Sequence, residues 1–110
     1  MGQWESQLRK GVVELAVRAV LAREEAHGYR VVERLRGLDG LALTESTVYP
    51  VLARLAGEGL LAVRAEPSPA GPPRRYYRLT TDGRRRFRQM ADGWGTVSRS
   101  VGALLEGAQS

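Results

Sequence analysis

Four of the five prolines fall within one seven-residue stretch, Pro67-Ser68-Pro69-Ala70-Gly71-Pro72-Pro73. Neither a helix nor a regular strand ladder is expected to continue through it, because each proline fixes φ and removes a backbone donor. The stretch therefore divides the chain, and both flanks show the same alternation. Leu61, Val63 and Ala65 alternate with Leu60, Arg64 and Glu66 before it. Arg75, Tyr77 and Leu79 alternate with Tyr76 and Arg78 after it. Period two marks a half-buried strand, so two such runs around a proline-rich tip predict a β-hairpin with an extended end. On this parity Tyr77 shares a face with Leu79 and belongs to the core, while Tyr76 faces the other way.

On either side of the hairpin the apolar period is helical. Leu8, Val12, Leu15, Ala16, Ala19 and Val20 recur at steps of three and four and predict a first helix over Leu8–Ala22. A short second helix follows His27-Gly28, with Val31, Val32, Leu35 and Leu38 inward and Gly37 and Gly40 bracketing its end. Thr44 is placed to cap a third helix that buries Val48, Val51, Leu52 and Leu55 and closes at Gly57 or Gly59. Pro50 lies inside it, and the apolar spacing runs straight through the proline. After Thr80, a further N-cap, a long helix is expected to reach about Gly107. Its apolar residues Phe87, Met90, Trp94, Val97, Val101 and Leu104 form a heptad seam. Gly93, Gly95 and Gly102 each lower helix propensity by roughly 1 kcal/mol relative to alanine. Pairing with a second subunit is therefore the expected source of the helix's stability, with packing back on its own core as the alternative.

Helix, helix, helix, hairpin, helix is the order of a winged helix-turn-helix followed by a long C-terminal dimerisation helix. The predicted fold is mainly α with a two-stranded β-hairpin wing, divided into residues 1–80 and 81–110. In that arrangement the third helix enters a major groove and the hairpin reaches the flanking backbone. The charge distribution agrees with it. Residues 1–59 carry eight basic and eight acidic side chains, whereas 60–91 carry eight arginines against Glu66 and Asp82 alone. The whole excess of a chain whose net charge is +5 thus sits in the hairpin and the start of the last helix, where a polyanion is the natural partner.

Other classes fare poorly. There is no cysteine, His27 is the single histidine, and three aspartates and nine glutamates are scattered without a triad order, a phosphate-cradling glycine loop or a metal cluster. No catalytic residue, metal or cofactor is expected. The most apolar stretch, Val12–Ala22, is interrupted by Glu14 and Arg18, so no membrane span is expected and the cytoplasm is the default location. Two competing functions remain: a winged-helix module for protein or RNA, and a helical small-molecule sensor without a DNA role. Neither needs the local excess of positive charge.

Specific runs point further. His27-Gly28-Tyr29, Thr47-Val48-Tyr49-Pro50-Val51-Leu52-Ala53-Arg54-Leu55, Glu58-Gly59-Leu60, and Arg74-Arg75-Tyr76-Tyr77-Arg78-Leu79-Thr80 with Gly83 occur in this order. Over roughly residues 8–105 the chain resembles the PadR family of bacterial transcriptional regulators, in the short form with a single terminal dimerisation helix. The resemblance implies a homodimeric repressor that binds an inverted repeat in double-stranded DNA and often responds to a small molecule. The hairpin tip departs from the family's commonly glycine-rich, charged loop.

The candidate DNA contacts follow from position. Ser46, Thr47 and Tyr49 lie on the first turn of the third helix, where hydroxyls can meet bases or phosphates. Capping is the alternative role for Ser46 and Thr47. Arg54, a turn later, either joins them or pairs with Glu58. Arg74, Arg75 and Tyr76 lead out of the wing tip, and Tyr29 opens the second helix, where it either contacts phosphate or packs. His27 is a helix-entry residue, and Arg84, Arg85, Arg86 and Arg88 form a solvated face. Trp94 sits in the seam between two glycines, which leaves room for a flat guest at the dimer interface, and Trp4 of the partner could close that space. In the family resembled, a tryptophan at this place can stack on planar drugs.

Overall fold

Val17, Val31, Val32, Val48, Leu52 and Leu55 are all fully enclosed, and they come from three different helices. The computed structural model describes residues 11–41 and 43–109. Helix α1 spans Val13–Arg23, strand β1 Ala26–His27, α2 Gly28–Arg36 and α3 Glu45–Gly57. Strands β2 (Leu61–Ser68) and β3 (Gly71–Leu79) follow, and α4 runs over Thr81–Gln109. Leu60, Leu61, Leu79 and Ala26 close the core from the sheet side. Each large apolar side chain buried there contributes about 1.5–3 kcal/mol.

The expected winged helix-turn-helix order is present, with a third strand added to the wing. The antiparallel sheet has the order β1-β3-β2, with Ala26 opposite Tyr77 and His27 opposite Tyr76. A strand of two residues has no periodicity of its own, so only its partner reveals it. The proline stretch also interrupts the ladder less than expected. Pairing continues from Glu66–Arg74 to Ser68–Gly71, with Pro67 on one strand set against Pro72 and Pro73 on the other. The prolines occupy an irregularity of the ladder, where a missing N–H costs no cross-strand bond.

Helix α1 is apolar on two sides. Val17, Val20 and Leu21 face the core, whereas Leu15, Ala16 and Ala19 are only half-buried. The stripe expected from the spacing merged the two faces and left out Val17 and Leu21. Leu8, which was expected to begin it, lies outside the described residues. Leu38 is not inward: it lies beyond the end of α2 and is 51% exposed. The acidic Glu14 of α1 is not solvated alone, since it accepts hydrogen bonds from Arg18 of its own helix and Arg54 of α3.

Three helix ends orient the parts. His27 Nδ1 accepts from the Arg30 amide at 3.2 Å and so caps α2. At the end of α3, Gly59 adopts φ +78° while its amide bonds Ala56 O and the Leu60 amide bonds Leu55 O, the paired closure of a Schellman motif. Thr80 then joins three elements. Its hydroxyl donates to Gly59 O at 2.8 Å and accepts from the Gly83 amide at 3.0 Å, while its own amide bonds Leu60 O at 3.1 Å. Gly83 is required by this closeness, because a Cβ there would collide with the Leu60 carbonyl oxygen. Thr44 holds the N-cap position of α3 as expected, but its hydroxyl bonds Ser46 Oγ at 2.9 Å instead of a backbone amide.

Candidate nucleic-acid interface

The start of α2, the first turns of α3 and the outer part of β3 enclose a concave niche of about 420 Å³. His27, Gly28, Tyr29, Tyr49, Arg74, Arg75 and Tyr77 line it. The fold brings them together through two linkages. Pairing of β1 with β3 places the entry to α2 beside Tyr76 and Tyr77, and the α2–α3 packing carries Tyr49 over the same entry.

Four of the candidate residues meet here: Tyr29, Tyr49, Arg74 and Arg75. Tyr49 is 41% exposed, and burial pushes its phenol up, helped by the negative charge of Glu45 and the neighbouring phenols of Tyr77 and Tyr29. It therefore remains a hydroxyl donor throughout the physiological range. Tyr29 carries the Arg36 guanidinium over its ring at 5.8 Å. Among the described residues Arg74 and Arg75 have no acidic partner, so their donors are free. Guanidinium forks beside phenol donors suit a phosphodiester, which offers acceptor oxygens and negative charge.

The remaining candidates lie elsewhere. Ser46 and Thr47 are exposed on the first turn of α3, outside the niche, with Ser46 tied to Thr44. Arg54 is committed to the protein: it bonds Glu14 and, at 3.4 Å, Glu58, and these carboxylates hold its guanidinium protonated and in place. It thus links α3 to α1 in addition to the Glu58 pairing considered from sequence.

Tyr76 also sits away from the niche. It faces the opposite side of the sheet, where His27 meets its ring edge-on at 5.5 Å and Arg64 lies over it at 4.7 Å. Arg64 is neutralised there by Glu25 at 2.7 Å and Glu66 at 2.6 Å, and those hydrogen bonds drive its pKa further up. Tyr77, assigned to the core by parity, does pack against it and also reaches the niche. His27, Gly28 and Tyr77 line the niche but were not among the residues expected to contact DNA. The motif order His27-Gly28-Tyr29 was the available signal.

A second concavity, about 940 Å³, lies between α1 and α4. Leu15, Ala16 and Ala19 form one wall, and Phe87, Trp94, Val97, Val101 and Leu105 are on the other. Of the expected seam, Phe87 leans on the core, Trp94 is 50% exposed, and Val97 and Val101 are comparably open. Met90 and Leu104 do not line the groove, and Leu104 is 74% exposed. Leu105 takes the place expected of Leu104. Trp4 lies outside the described residues. Among those residues no group of His, Asp or Glu side chains could hold a metal, and no helix is long and apolar enough to cross a membrane.

Comparison with known proteins agrees with this architecture. A PadR-family transcriptional regulator from Eggerthella lenta is 37% identical with a TM-score of 0.79, covering 91% of this chain and 87% of that one. A PadR-like transcriptional regulator from Bacillus cereus is 32% identical with a TM-score of 0.79, covering 90% and 96%. Bacillus subtilis PadR, solved in complex with operator DNA, shares the fold at 23% identity and a TM-score of 0.67, and the match spans 73% of this chain and 46% of that protein. The PadR-like transcriptional regulator family matches residues 17–89, two-thirds of the sequence, and with the helix-turn-helix, the wing and the long last helix all in place, the chain belongs to that family.

Proposed function

We propose that the protein is a homodimeric repressor that binds an inverted-repeat operator in double-stranded DNA. Residues 1–80 read the duplex and 81–110 hold the partner. The observation that carries this reading is the niche itself. Phenol donors from α2, α3 and β3 converge with the unpaired guanidinium groups of Arg74 and Arg75, beside the turn of α3 that enters a major groove in this class of fold. Ser46 and Thr47, exposed on that turn, are placed for bases or phosphates; Arg74 and Arg75 neutralise the flanking backbone. The fold shared with Bacillus subtilis PadR, whose solved structure contains operator DNA, supports the same docking.

The open groove between α1 and α4 supports the dimer. Its lining is strongly apolar, and exposed apolar surface of this extent marks an interaction site. Two copies related by a twofold axis would cover the groove and place two α3 helices on successive half-sites. Trp94 lines it, so a planar aromatic effector entering beside the indole would change the distance between the two α3 helices and release DNA. Repression then follows from occlusion of a promoter in the cytoplasm, with no cofactor and no catalytic step.

The deciding experiment selects duplexes from a random pool with the purified protein, then titrates the selected site and a scrambled one at several salt concentrations. Tight, site-selective binding by a dimer, with affinity falling linearly in logarithmic salt, is the expected result. Equal affinity for both duplexes, or none for either, would refute operator recognition.

A further inference from the structure

Gly28 is buried at the first position of α2, and its backbone conformation is open to any residue. Alanine would be the better helix former there. What glycine supplies at this position is space, and the ring of Tyr49 occupies it. A Cβ built on Gly28 falls inside contact distance of Tyr49 Cε1, 3.0 Å from Cδ1 and 3.4 Å from Cζ. At Gly11, Gly37, Gly57 and Gly71, by contrast, an added Cβ meets nothing within 4 Å. The contact joins two segments 21 positions apart in sequence, one from each helix of the helix-turn-helix.

We propose that Gly28 is a positioning residue for the nucleic-acid interface: its missing side chain is the seat that fixes where α3 presents the Tyr49 phenol beside Arg74 and Arg75. The inference rests on the operator-binding reading above. Tyr49 is open to solvent on its other side, so its ring has somewhere to go when the seat is filled. A methyl group at position 28 therefore displaces the phenol within the niche and leaves the enclosed core, which Gly28 does not build, as it was. His27 still caps α2, because its bond goes to the Arg30 amide and not to residue 28.

The test is a double-mutant cycle on the full chain with the selected operator duplex. Gly28→Ala is expected to melt within about 3 °C of the parent and to bind the operator about tenfold more weakly, corresponding to the loss of one positioned contact. Tyr49→Ala removes the ring. Adding Gly28→Ala to it is expected to change affinity less than about twofold, since nothing is left to displace. Gly28→Ala binding like the parent would overturn the proposal. So would an equal loss in both backgrounds, which would mean that the DNA or the helix start needs the space. A single variant that fails to fold while the double variant folds would also overturn it, by showing that the ring is a fixed part of the fold. Failure of the parent to bind any duplex would be seen before a variant is made, and would refute operator binding itself.

Discussion

Replacing Thr80 by alanine tests how the long helix is fixed to the head. The hydroxyl makes two bonds, one as the cap of α4 from the Gly83 amide and one to the Gly59 carbonyl at the end of α3. Loss of an N-cap costs about 1 kcal/mol, and a second net hydrogen bond contributes about 1 kcal/mol. Because Thr80 is half-buried, water re-solvates the freed groups only in part, and a loss of about 1.5–2.5 kcal/mol is expected. For a chain of this size that lowers the melting midpoint by roughly 6–12 °C. The assay is a thermal melt followed by circular dichroism at one fixed protein concentration, because self-association shifts the midpoint. Thr80→Ser retains the hydroxyl and should remain within about 3 °C of the parent. An alanine variant that melts with the parent, or a serine variant that falls as far as alanine, would show that these two bonds do not hold the junction.

Arg75→Ala should weaken binding to selected and scrambled duplexes alike and reduce the salt slope by about one unit, because one phosphate neutraliser is gone; an unchanged slope would place Arg75 off the backbone. Val97→Glu puts a charge into the apolar groove and should yield a monomer by light scattering, with operator affinity lost in parallel; a variant that stays dimeric would refute pairing through α4. Burial acts to raise the Glu14 carboxyl, but hydrogen bonds from Arg54 and Arg18 outweigh it and hold the group below the ordinary carboxylate range. Its contribution to stability is therefore full above the unfolded value and is lost as pH falls through the lowered folded one. Acid melts of Glu14→Gln should show a flatter fall than the parent over that window; parallel curves would remove Glu14 as the cause.

Much of the architecture was legible in the sequence because the apolar period changes where the elements change. The α3 spacing through Pro50 held, and so did Thr80 as the cap of α4. What escaped was set by partners distant in sequence. Strand β1 is too short to have a pattern and exists through Tyr76 and Tyr77. The two apolar sides of α1 collapse into one stripe when only the spacing of Leu15, Ala16, Ala19 and Val20 is considered. Arg54 offered Glu58 four positions away, yet Glu14 forty positions away also binds it. Within the niche, position along the predicted elements indicated the arginines and Tyr29 and Tyr49, but the seat of Tyr49 on Gly28 depends on how two helices cross. The split between Tyr76 and Tyr77 followed correct parity, and the niche opens on the side that parity gave to the core, beside Tyr77.

The proline irregularity in the wing has a consequence for chains that meet at high concentration. Among the described residues, strand β2 has no neighbour along its outer side, and β1 covers β3 only at Tyr76 and Tyr77. Bare main-chain edges of this kind accept an incoming strand from another copy, the first step of sheet-to-sheet aggregation. Pro67 on one strand and Pro72 and Pro73 on the other carry no amide hydrogen, so near the tip the main chain has fewer donors to offer an incoming strand. The outer part of the arm is thereby a poorer template for another molecule's backbone than an uninterrupted hairpin would be.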